Sequence, residues 1–143
     1  MKADLEKAKA IFAQGDYTCV LCKDEMVYPS TERGLKPLLA FINRDIDLAG
    51  FCAADRIVGK AAALLYALLG VDTVYAPVMS AAGIDTLTKN GITPVCDTAV
   101  KEIRNRTDTG LCPMEEAVQE ISDPSEGLCA IKDKISRMMA SCS

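Results

Sequence analysis

Histidine is absent from this chain. Every histidine-containing zinc site is thereby excluded, and so is any Ser-His-Asp or Cys-His catalytic arrangement. Long apolar runs are missing as well. The richest, Ile57 to Leu69, is interrupted by Gly59 and Lys60 and falls short of a bilayer span. The opening MKADLEKAKAIF mixes acidic residues with its lysines and reads as an amphipathic helix, not a signal peptide. Basic charge is in deficit, with 16 Lys and Arg against 20 Asp and Glu and a net charge of −4. A nucleic-acid backbone needs a basic footprint, so no nucleic-acid partner is expected, and no membrane either. Cysteine is the one reactive residue in good supply, at seven in 143. The count is odd, and Cys19, Cys22, Cys52 and Cys96 lie inside apolar segments. Reduced core thiols of a cytoplasmic protein are the expectation.

Periodicity predicts a helix over Lys2 to Gln14, with Gly15 as its stop, and buried strand from Tyr17 to Cys22. A polar turn at Lys23 to Glu25 leads into a second strand, Met26 to Ser30. Pro37 can open a helix carrying Leu38, Leu39, Phe41 and Ile42. Asp55 is a good N-cap for a helix from Arg56 to Leu69, ended by Gly70. Thr73 to Met79 is the clearest strand. Ser80 caps a helix reaching towards Gly91, and Ile92 to Cys96 is another strand. A short helix is expected over Thr98 to Arg104, then a polar loop, a helix opening at Pro113 and a last helix over 124–140. Strands alternating with helices imply one α/β domain over 1–143, a sheet sandwiched between helical layers.

Two polar clusters stand out. In the first, Asp55 sits at a helix start with Lys60 just over a turn further in, beside small residues. Lys60 could hold an anion or, if desolvated, act as a base with Asp55 as its orienting partner. Gly59 would allow close approach of a ligand or backbone. The plainer account has Lys60 snorkelling to water and Gly59 merely letting helices pack. Gly59-Lys60 is not a phosphate loop, because the upstream glycine and the following Ser or Thr are missing. In the second cluster, Pro113 at the first helical position places Cys112 at a helix cap, where its thiol could serve as nucleophile or acid. Arg106, Thr107 and Thr109 could form an anion site with that helix start. The plainer account is a structural cap, with Glu115 reaching back to the backbone. Cys19 and Cys22 have a C-x-x-C spacing, but in a strand they point to opposite faces, so no metal site is expected.

ADRIVGKAAALL (54–65) and NRTDTGLCPMEEAV (105–118) resemble a bacterial and archaeal family known as domain of unknown function 1893. The likeness spans about 17–121 and leaves the last helix outside. It implies a cytidine-deaminase-like fold, a three-layer α/β/α sandwich around a mixed five-stranded sheet. Deaminases hold zinc with a His-x-Glu and a Pro-Cys-x-x-Cys at two helix starts. The matching segments here read Ala53-Ala54-Asp55 and Met79-Ser80-Ala81-Ala82, so both motifs are gone while the pocket between the helix starts could persist.

The leading expectation is therefore a small-molecule pocket on a deaminase-like scaffold, without cofactor, working as a metal-free enzyme. Lys60, Asp55 and Cys112 are its candidate catalytic residues, and Gly59, Ser80, Arg106, Thr107 and Thr109 its candidate ligand contacts. The alternative is a binding or sensing module for a nucleotide-like or phosphorylated metabolite. A third reading is a homo-oligomer that associates through the first helix and the Met138-Met139 tail.

Overall fold

The computed structural model describes residues 2–104 and 110–141. Among the described residues, six helices are interspersed with the six strands of one mixed sheet. In order they are α1 (Lys2–Gln14), β1 (Cys19–Lys23), β2 (Met26–Ser30), α2 (Lys36–Asn43), β3 (Cys52–Asp55), β4 (Ile57–Val58), α3 (Lys60–Leu69), β5 (Thr73–Ser80), α4 (Ala81–Lys89), β6 (Thr93–Val100), α5 (Pro113–Ala117) and α6 (Pro124–Ser141). Among the described residues no helix is long and apolar enough to cross a membrane.

β1 pairs antiparallel with β2 on one edge and with β3 on the other. β3 and β4 both run parallel to β5, and β6 runs parallel along the opposite edge of β5. One face of this sheet is covered by α1, whose Ala8 packs with Val20, Cys22, Ala54 and Tyr75. The other face carries the larger core, in which Leu21, Ala53, Val74 and Ala76 meet Leu38, Phe41, Leu64, Tyr66 and Ile131 of the remaining helices. Cys19 belongs to this core and Cys22 to the α1 core, as strand alternation requires.

The sixth strand, one more than expected, arises from a break. Ala54 faces Tyr75 and Ile57 faces Val78, so the two registers are in phase and β3 and β4 are one strand interrupted at Asp55–Arg56. Pro77 lies opposite the interruption and is skipped by the β6 ladder too. Proline has no N–H to give a ladder, which makes it a natural breaker in an interior strand. Face alternation slips by one residue there. On the α3 side Ala53 is followed by Val58, and Ala76 by Met79.

Two sequence expectations are corrected here. No helix starts at Arg56, and Asp55 is not an N-cap. Cys52 to Ala54 are fully buried between β1 and β5, and sheet pairing overrides the helical preference of the alanines. α3 begins at Lys60 after an extended Gly59 and closes at Gly70, whose φ of 75° is left-handed. No helix spans Thr98 to Arg104 either. β5 runs on to Ser80, and β6 follows it to Val100, after which Arg104 bridges Leu111. Ser80 does cap α4, accepting from the Gly83 amide at 2.9 Å.

The corner where β4 enters α3 is pressed against the first turn of α4. A Cβ at Gly83 would lie 2.8 Å from the Val58 carbonyl oxygen and 3.0 Å from the Gly59 carbonyl carbon. Both are backbone atoms and cannot swing aside. Gly83→Ala should therefore lower stability by about 1–3 kcal/mol in urea denaturation, an overpacking effect. An unchanged midpoint would show the corner to be loose.

Candidate functional site

The C-terminal ends of β3 and β5, the start of β1 and the turn after β2 all reach one edge of the sheet, because β1 and β2 run antiparallel to each other and β1 antiparallel to β3. Ligands of open α/β sheets collect at such carboxyl edges. A cavity of about 670 Å³ opens there. Its walls come from Thr18 before β1, Arg33 to Leu35 after β2, Asp55 to Ile57 at the strand break, Ala61 and Ala62 of α3, and Cys112, Met114 and Glu115 around α5. That size suits a small organic molecule.

Asp55 is the most perturbed acid in this cavity. The strand break frees its backbone neighbours, and the Arg56 amide donates to Asp55 Oδ1 at 2.7 Å. From the core side the Tyr66 hydroxyl donates to Oδ2 at 2.7 Å. While Asp55 is ionised, Tyr66 spends its one hydrogen there, and the Cys19 thiol, 3.4 Å away, donates to the Tyr66 oxygen. Loss of hydration pushes the Asp55 carboxyl up to about 6, against the opposing pull of Tyr66 and of the Arg56 and Ile57 amides. Burial, together with the Asp55 charge, raises the Tyr66 hydroxyl and the Cys19 thiol well above their usual ranges. The chain Cys19–Tyr66–Asp55 is thus a line of protonated groups ending in an acid that titrates near neutrality.

Glu115 is the second anchor. Although it sits in α5, its carboxylate crosses to the start of α3 and accepts from the Lys60 amide at 2.7 Å and the Ala61 amide at 2.8 Å. Free helix N–H groups and the helix dipole favour a negative charge there. Gly59 is what admits it, since a Cβ at that position would lie 2.2 Å from Glu115 Oε1. The close approach expected at Gly59 is real, and the group approaching is the protein's own carboxylate.

The remaining candidates separate. Lys60 turns away from the cavity, and its ammonium donates to the Gln119 carbonyl at 3.0 Å. Its pairing with Asp55 as an adjacent helix residue fails, because Asp55 ends a strand and Lys60 begins α3. Ser80 is buried and spends its hydroxyl on the α4 cap, outside the cavity lining. Cys112 lines the cavity at the cap of α5, half-buried, with its amide bonded to the Ile103 carbonyl at 2.9 Å. Arg106, Thr107 and Thr109 lie outside the described residues. Among the described residues no three Cys, Asp or Glu side chains converge as a metal site.

Tyr66, Arg33 and the cross-chain role of Glu115 were not anticipated. Tyr66 sits in a run of apolar helix residues, where nothing distinguishes a hydroxyl with a partner from an ordinary core aromatic. Glu115 carries a local capping pattern that suggests its own helix, and only tertiary contact reveals the other one.

Above the usual carboxylate range the folded protein holds a proton on Asp55 that the unfolded chain releases, so stability falls as pH rises from about 4 to about 6. Asp55→Asn removes that dependence and should make the protein more stable than wild type at pH 8, by up to about 3 kcal/mol. Urea denaturation across pH 4 to 8 measures it, and parallel curves for both proteins would refute the assignment. Glu115→Ala leaves two helix amides without acceptors and should cost about 2–4 kcal/mol. Gly59→Ala should be comparably damaging in wild type yet much milder in a Glu115→Ala background. Strict additivity would show that the two residues do not oppose each other.

Residues 7–135 match the family described as Domain of unknown function (DUF1893), beyond the 17–121 stretch read from motifs alone. No curated protein matches the chain. Among solved structures, the crystal structure of a DUF1893 family protein from Thermotoga maritima superposes with a TM-score of 0.83 at 27% identity, covering 96% of this chain and 91% of that one. The chain belongs to the DUF1893 family.

Proposed function

We propose that this protein binds a small organic molecule in the sheet-edge cavity and exchanges a proton with it through Asp55. The observation that carries this reading is a single one: a desolvated carboxyl, held by Tyr66 and backbone amides, lines a cavity of about 670 Å³. A general acid or base works best when its pKa lies near the ambient pH, and Asp55, raised to about 6, meets that condition. Perturbed acids in clefts are enriched at functional sites. Cys112 lines the same space and is the candidate second reactive group. Lys60 is a weaker candidate, given its bond to Gln119.

The deaminase-like reading of the scaffold draws support from the mixed sheet with helices on both faces and from a cavity beside the start of α3. The pocket is then the inherited feature, while the zinc-water chemistry has no ligands to run on at Ala53-Ala54-Asp55 or Met79-Ser80-Ala81-Ala82.

A thermal-shift screen of small metabolites tests the proposal. Compounds that raise the melting temperature of wild type should fail with Ala62→Leu, which narrows the cavity from α3, and with Ile57→Trp, which fills it from the half-exposed rim. Products should form from a hit with wild type and drop at least tenfold with Asp55→Asn. Equal shifts in both filled variants would rule out this cavity. Binding without any product would leave the sensing module as the function.

A further inference from the structure

Two cations at the cavity lack the partners that the other charged groups there have found. Glu115 is saturated by the α3 amides, and Asp55 is engaged by Tyr66 and by backbone. Arg33, in the turn after β2, and Arg56, at the strand break, both line the cavity and are exposed at its mouth. Among the described residues neither guanidinium forms an ion pair, although the chain carries more acidic than basic residues. The rest of the lining is largely apolar, including Leu35, Ile57, Ala62 and Met114.

We infer that the occupant of this cavity is a small molecule with an apolar body and an anionic end, a phosphate ester or a carboxylate, held by Arg33 and Arg56. The inference rests on the proposed cavity function and adds its ligand class. A guanidinium gives a planar fork of donors that fits either anion in a bidentate manner, and charge-assisted bonds of this kind are stronger than neutral ones. With the anion held by the two guanidiniums, the apolar body lies against the Leu35, Ile57, Ala62 and Met114 lining of the cavity that Asp55 also lines.

Isothermal titration calorimetry with three probes of one shape tests this: 1-naphthyl phosphate, 1-naphthoate and uncharged 1-naphthol. Wild type should bind at least one of the two anions about tenfold or more tightly than naphthol, the scale expected for a charged hydrogen-bonded pair. Arg33→Gln/Arg56→Gln should erase that preference and leave naphthol binding unchanged. A gain for the phosphate alone identifies a phosphate-ester ligand, and a gain for both extends the class to carboxylates. Naphthol binding as tightly as both anions, or a preference that survives in the double variant, overturns the inference while leaving the cavity function standing. Failure of all three probes, or equal binding of all three to Ile57→Trp, overturns the cavity function itself and the ligand class with it.

Discussion

The carboxylate of Glu115 on the first two amides of α3 is the contact on which the site depends. It joins the short α5, far along the chain, to the helix that carries Ala61, Ala62 and Tyr66. Its five residues are too few for a helix to persist by its own hydrogen bonds, so α5 is held by its neighbours: by this carboxylate, by Met114 and Val118 packed on the core, and by the Lys60 ammonium on the Gln119 carbonyl. The same contact uses up the most obvious anion site of the fold, the N-terminus of its most buried helix. On the reading proposed above, an anionic ligand meets Arg33 and Arg56 instead of this helix start.

The second constraint is the paired break at Pro77 and Asp55–Arg56. A continuous β3–β4 strand would bury the acid's neighbours in ladder hydrogen bonds and keep strict alternation through Ile57. With Pro77 opposite, the ladder opens for two residues, the Arg56 amide turns to Asp55, and Val58 takes the core position that alternation would have assigned to Ile57. Ile57 is left half exposed on the cavity wall. Interruptions of this kind re-aim side chains, and they concentrate next to functional sites. Here the break points one carboxyl at a tyrosine and a cavity at once.

Much of the architecture was legible in the sequence. α1, β2, the Ser80 cap and the Gly70 stop follow from local chemistry and were found where expected. The failures share one cause. Asp55 ahead of an apolar, alanine-rich run fits the N-cap of a helix from Arg56 to Leu69, whereas β1 and β5 recruit Cys52 to Asp55 into the sheet and β5 also pairs Ile57 and Val58. Thr98 to Arg104 was read as helix because nothing local shows that β5 is eight residues long and draws β6 along with it. In the site, Asp55, Gly59 and Cys112 were singled out for their residue types and all three line the cavity. Lys60 was singled out by projection on a helix that begins four residues later than expected, so its direction was wrong.

An acid such as Asp55 is hard to explain as a structural device. Desolvation makes its charged form unfavourable in the folded state, and Tyr66 with two backbone amides only partly offsets the loss. An asparagine could accept from the Arg56 amide and donate its own amide N–H to the Tyr66 oxygen, with the Tyr66 hydrogen turned to Cys19, and it would have no charge to desolvate. Fold stability at neutral pH therefore argues against the carboxyl, and a group that lowers stability where it stands needs another reason to be there. Cys19 and Tyr66 sharpen the point. Both are protonated far above neutrality and held in line behind the acid, so they can support a charge on Asp55 by donating hydrogen bonds without losing protons themselves. When Asp55 is protonated the shared hydrogens turn round, Asp55 donating to Tyr66 and Tyr66 to Cys19, and no group but Asp55 changes its charge, which is what the proton exchange proposed above requires.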